Sequence, residues 1–274
     1  MNQPRRASPT SNWRIAAAFL PGLLVGAVAW LPTGPLPQPL SYHQFADRHN
    51  GLGIPHTGDV LSNLAFIIVG ACGLWFLSQP QRSARAFIDT REHRFFWWFF
   101  AGVFLTGFGS GWYHLAPDNF SLVWDRLPMA VAFMSIFAAM IAERINPSLG
   151  VALLGPLVAV GVASVLWWIW TEYGGHGDLR WYLLVQFYPM ITMLLTLLLL
   201  PTRYTHGNDY WGLLFWYSAA KIVEVLDVRI FTFTHGIISG HSLKHLLAAV
   251  AAAWLLRMLW LRQPLGQSPA TRAW

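Results

Sequence analysis

Ser110 and His114 stand four residues apart, and so do His241 and His245. Residues at i and i+4 share one face of an α-helix, and that spacing lets two imidazoles converge on one metal ion. Three histidines with an open fourth position are a catalytic zinc arrangement. Zinc there would lower the pKa of a bound water toward about 7 and polarise a carbonyl. Asp125 offers a carboxylate that can take a proton from water and pass it to a leaving amine. Ser110 offers a hydroxyl that can orient the water or donate to a developing oxyanion. Such a set suits hydrolysis of an amide. A plainer reading stays open beside it: one H-x-x-x-H is a weak motif, and an intramembrane His also serves to hydrogen-bond across helices.

These residues are carried by an unusually apolar chain. Of its 274 residues 55% are hydrophobic and 11% charged, against roughly 25% charged in a soluble domain. Apolar segments fall near residues 15–31, 57–77, 95–116, 121–142, 148–170, 180–200, 210–230 and 238–261. A helix needs about 20 such residues to cross the hydrocarbon core, so the chain reads as one all-α polytopic membrane domain. The first segment follows Arg5, Arg6 and Arg14 and holds the small-residue stretch Ala27-Val28-Ala29. It fits a retained helix, an uncleaved anchor or a signal peptide. The single cysteine, Cys72, excludes an internal disulfide and a Cys-based zinc site.

Charge sets the orientation. Arg82, Arg85, Arg91 and Arg94 crowd the loop after the second segment, which makes that loop cytoplasmic by the positive-inside rule. Alternation puts Arg144, Arg203, Arg262 and Arg272 on the same side, with Arg5 and Arg6 if the first helix is kept. Arg48 and Arg180 are exceptions. The net charge of +6 is thereby explained by membrane orientation, and a nucleic-acid partner loses its support. The third segment then exits outward at His114, the fourth re-enters at Asp125 and the eighth enters at His241. All lie at one depth near the external leaflet, so one shared site is geometrically reasonable.

Other polar residues lie at membrane depth, where they are costly and often functional. Lys221 and Glu224, at i and i+3, read as a structural ion pair. Asp227 could support a zinc-ligand imidazole from behind. Lys244, one residue from His245, points elsewhere and can pair with Glu224 or Asp227. Glu172, His176 and Asp178 read as a solvated external loop, and His43, His49 and His56 as surface residues rather than a second metal site.

Taken together, these residues resemble the alkaline ceramidases, and more broadly the CREST superfamily of seven-helix membrane hydrolases. The resemblance rests on Ser110 with His114, Asp125 eleven residues on in D-x-L-P-M (Asp125, Leu127, Pro128, Met129), His241 with His245, and Ser62-Asn63 followed by Phe66. It covers residues 42–261. It implies a seven-helix core over 42–262, preceded by a tail, an extra transmembrane helix and a Pro-rich linker over 1–41 and followed by a short cytoplasmic tail over 263–274. It implies zinc held by His114, His241 and His245, with Asp125 and Ser110 at the catalytic water. It implies a membrane-lipid substrate, ceramide or another N-acyl lipid, cut to fatty acid and free amine. Relatives carry an acidic calcium-binding segment. Here only Asp47 and Asp59 match it, interrupted by His and Arg, whereas calcium prefers six to eight oxygens. The near-absence of Lys and the short loops are prokaryotic in style, so the expected location is a bacterial inner membrane with the zinc site near the periplasmic leaflet. Two other classes remain: a receptor-like or regulatory protein with a structural or weakly active zinc site, and a transporter using Lys221, Glu224 and Asp227. Short tails disfavour the receptor. The transporter is disfavoured because neither internal symmetry nor paired broken helices are evident.

Overall fold

An apolar segment in lipid has to satisfy its own backbone polar groups, and the α-helix does so within one segment. The computed structural model describes residues 12–30 and 34–265, the side chains of 28–30 excepted. Arg5, Arg6, Pro32 and Arg272 lie outside the described residues. The helices are α1 (Asn12–Trp30), α2 (Thr57–Ser62), α3 (Leu64–Leu77), α4 (Pro80–Ser83), α5 (His93–Leu115), α6 (Asn119–Arg144), α7 (Pro147–Tyr173), α8 (Arg180–Leu199), α9 (Tyr210–Val225), α10 (Asp227–Phe233) and α11 (Gly240–Leu261). A two-residue hairpin, β1 (Asn50–Gly51) with β2 (Ile54–Pro55), precedes α2.

Five stretches among the described residues are long and apolar enough to cross a membrane: Thr57–Leu77, α6, α7, α8 and α11. Large apolar side chains such as Ile68, Leu105, Val160, Leu198 and Phe215 point outward, all more than half exposed. So much outward apolar surface is a liability in water and the natural surface of a helical bundle in lipid. The chain is thus an all-α, membrane-embedded protein. The last apolar segment forms the single helix α11. The seventh instead breaks at Leu226 into α9, only 16 residues long, and α10.

Consecutive helices pack on one another from α3 through α5, α6, α7, α8 and α9 to α11, and α11 returns to α3. α1 stands outside this circuit, against α8. Small residues permit the closest approaches. A Cβ on Gly109 would lie 1.9 Å from the Trp124 carbonyl oxygen, so α5 and α6 touch backbone to backbone there. That carbonyl stands four residues before Pro128, which has no N–H to return to it. Gly109→Ala would wedge α5 from α6 next to Ser110, His114 and Asp125. The expected result is a folded but loosened protein that binds metal at least about tenfold more weakly, by analogy with loss of a supporting contact at a metal site. Metal titration of the purified variant checks this; unchanged affinity would show that the contact does not position the site.

The far end of the bundle is tied by buried arginines. Arg262, capping α11, pairs with Glu143 and donates 2.8 Å to the Ala86 carbonyl. Its guanidinium lies over the rings of Tyr204, Phe96 and Phe87. Arg144 donates to the carbonyls of Leu200 and Gly207, and Arg203 to that of Ile145. Glu92 accepts 2.6 Å from the Tyr204 hydroxyl, and burial pushes its carboxyl above the usual range. Of the basic residues expected on one side, Arg144, Arg203 and Arg262 share one end. Arg262→Ala would leave Glu143 buried without its cation, at a cost of about 3–5 kcal/mol. A lowered thermal midpoint in detergent, recovered in part by Arg262→Met with Glu143→Leu, is the expected result.

Candidate metal centre

The opposite end is built around helix termini. Only residues 116–118 separate α5 from α6. Asp118 caps α6 by accepting 2.6 Å from the Ser121 N–H, which holds its carboxyl below the usual range. The tight turn sets the last turn of α5, with Ser110 and His114, beside the second turn of α6, with Asp125. α11 is anchored equally firmly. Ser239 caps it through the Ser242 N–H. A Cβ on Gly240 would lie 2.2 Å from the Val223 carbonyl oxygen, so α11 begins hard against the end of α9.

These anchors bring His114, His241 and His245 together. One ring nitrogen from each lies within 4.8 Å of the others, and all three residues are buried. Ring centroids are 4.7 Å apart for His114 and His241, 5.0 Å for His114 and His245 and 4.9 Å for His241 and His245. Phe45 presses edge-on against His114 and His241, each at 4.5 Å. Among the described residues this is the only group of three His, Cys, Asp or Glu so arranged. Both ring nitrogens of His114 and Nε2 of His245 are buried without a hydrogen-bond partner. Buried polar atoms are nearly always paired, so converging unpaired imidazole nitrogens fit a metal ion. Imidazole donors suit zinc, copper, iron and nickel.

The surroundings orient the rings. Ser62 Oγ lies 2.8 Å from His245 Nδ1 and donates 3.0 Å to the Asp59 carbonyl. Its only proton being spent there, Ser62 accepts from Nδ1–H, and Nε2 keeps its lone pair for an ion. Asp125 is buried and lines the same cavity wall as Ser110 and His245.

Several expectations need correction. Asp227 supports no imidazole: its oxygens accept from the backbone N–H groups of His241 (2.8 Å) and Ala46 (2.9 Å). It sits where α11 abuts the α9–α10 break, so backbone donors reach it first. Asp47 is engaged by the N–H groups of His49 and Gly58, at 3.0 and 2.7 Å, and by the His49 ring. Asp59 Oδ1 accepts from Ser239 and Ser242, at 2.7 and 2.6 Å. These two carboxylates tie loops and helix starts together, and Asp59 Oδ2 is buried without a hydrogen-bond partner. Asp178 is buried against Arg180, and Glu172 accepts from Gln38 N–H and Trp168 Nε1, so these two are tied down rather than solvated, while His176 is exposed as expected. Lys221 pairs with Glu224 as expected, and Lys244 joins it at 3.2 Å. Lys244 does not point away from the site, however: Nζ stands 2.9 Å from His241 Nε2, one turn before it.

A cavity of about 320 Å³ opens beside the cluster, lined at one end by Ser110, Asp125, Lys244 and His245. Phe99, Ile136, Met193 and Ala252 line its deeper part. A site with a few convergent polar groups and an apolar body suits a ligand that is polar at one end and apolar along the rest. A scan of protein-family models finds no match to this chain, and no curated protein matches it.

Proposed function

We propose that this protein is an intramembrane zinc-dependent amidohydrolase that cleaves ceramide or a related N-acyl lipid to fatty acid and free amine. We read its scaffold as the seven-helix core of the alkaline ceramidases with one added N-terminal helix. We place it in a bacterial inner membrane with the site near the periplasmic leaflet. The observation that carries the reading is one juxtaposition: three buried imidazoles stand beside a cavity whose wall carries Asp125 and Ser110 and whose body is apolar.

His114, His241 and His245 would hold the zinc, and Ser62 fixes the His245 tautomer for that task. Zinc, when bound, supplies Lewis acidity to an amide carbonyl and to water. Asp125 takes the proton of the attacking water on its carboxylate and returns it to the departing amine nitrogen. Ser110, on the same cavity wall, orients the attacking water or donates to the developing oxyanion. The apolar body of the cavity takes the acyl chain and keeps water from it.

The test is fatty-acid release, read by mass spectrometry, from a panel of acyl-amide lipids that includes ceramides. Release that stops on chelation and returns with zinc supports the reading. No release from any lipid by protein with zinc bound would overturn it in favour of a receptor-like or regulatory role.

A further inference from the structure

Arg126 is a buried cation on the cavity wall with an unpaired guanidinium nitrogen. It follows Asp125 on α6, is 5% exposed and lines the same cavity as Ser110 and His245. Its guanidinium is caged by Trp168, Tyr182 and Tyr42, at 4.3, 4.7 and 5.6 Å from their ring centres. Such stacking fixes the plane and leaves the N–H edges to recognise something. Only one of those edges is used by a side chain: Nη2 donates 2.6 Å to Gln38 Oε1. Nη1 is buried without a partner. No carboxylate lies within ion-pair distance of it among the described residues. Arg262 Nη2 and Arg144 Nε are unpaired too, but Arg262 has Glu143, and Arg144 reaches Leu200, Gly207 and Asn208. Neither lines the cavity.

The wall of the cavity carries three cationic side chains, Arg126, Lys221 and Lys244, against two carboxylates, Asp125 and Glu224. Glu224 is already shared by both lysines. The depth is also informative. Ile136, in the apolar part, lies ten residues along α6 from Arg126, about 15 Å at the helical rise. An acyl chain in the apolar part would therefore leave the groups on the far side of the amide near Arg126.

We infer that Arg126 receives an anionic group on the amine side of the substrate, so that the preferred ligand is an N-acyl amine bearing a carboxylate, phosphate or sulfonate rather than a neutral ceramide. The planar fork of the guanidinium matches such oxygens in pairs. This deepens the proposed hydrolase and rests on that reading for the amide, but its test does not require turnover.

The probes are a urea isostere of an N-acylglycine, which resists hydrolysis, its uncharged methyl amide, and an alkanoate of the same chain length. Binding is measured with the full-length protein in nonionic detergent by calorimetry and Trp fluorescence. Wild type should bind the anionic urea roughly 10- to 100-fold more tightly than the methyl amide, the worth of a charge-assisted hydrogen bond. Arg126→Gln should erase that preference without weakening methyl amide binding, and Arg126→Lys should restore part of it. Equal or tighter binding of the methyl amide by wild type overturns the inference, and this comparison stands even if Arg126→Gln does not fold. An equal dependence on Arg126 for the alkanoate, which has no amine side, also overturns it. A charge preference in a protein that hydrolyses none of the panel would remove the hydrolase and leave the anion site. Hydrolysis with no charge preference would do the reverse.

Discussion

His245→Ala should abolish both metal binding and hydrolysis, with metal content per chain falling to background by mass spectrometry. The ring is one of three that converge within 4.8 Å, and its Nε2 has no other partner. Two imidazoles cannot complete the three-ligand set of a catalytic zinc. The effect should be graded along the chain of contacts. Ser62→Ala removes only the group that holds Nδ1, so metal should bind about 10- to 100-fold more weakly, the usual cost of losing an outer hydrogen-bond partner. Competition with a chelator of known affinity orders the three proteins. Zinc retained at wild-type strength in His245→Ala would place the metal elsewhere and remove the proposed centre.

Asp125→Asn should keep its metal and lose about 10²- to 10⁴-fold in turnover, the range for a positioned general base. The substitution preserves shape. It replaces a buried carboxylate with a neutral amide, so stability should not fall. Loss of rate with unchanged zinc content and thermal midpoint would therefore report chemistry and not misfolding. Single-turnover fatty-acid release is the measurement, made on preparations whose metal content is known. Full activity would remove Asp125 from the mechanism and leave the proton transfer to another group on the cavity wall, with Glu224 the nearest candidate in type.

The candidate metal ligands were legible because two regularities coincide. Helical spacing put Ser110 with His114 and His241 with His245, and alternation of the apolar segments put both pairs and Asp125 at one depth. The basic residues of the other end were legible for the same reason. What could not be read was the rotation of each helix about its axis and the exact neighbour each side chain meets. Ser62 and His245 are 183 residues apart, and only the packing of α2 on α11 makes them partners. Asp227 was placed correctly near the site but given the wrong partner, since the break at Leu226 and the close seating of Gly240 turn it toward backbone N–H groups.

The sequence by itself determined the helical class, the membrane habit and the identity of the three converging histidines, because hydrophobic length and the 3.6-residue period act locally. The tertiary structure alone decided which polar groups serve those histidines. It made Asp47 and Asp59 into ties, brought Lys244 against His241 and left Arg126 in an aromatic cage with an unmet N–H. The physical reason is that a polar group buried in lipid takes whatever partner the packing offers, and packing depends on contacts between segments that no single stretch of sequence contains.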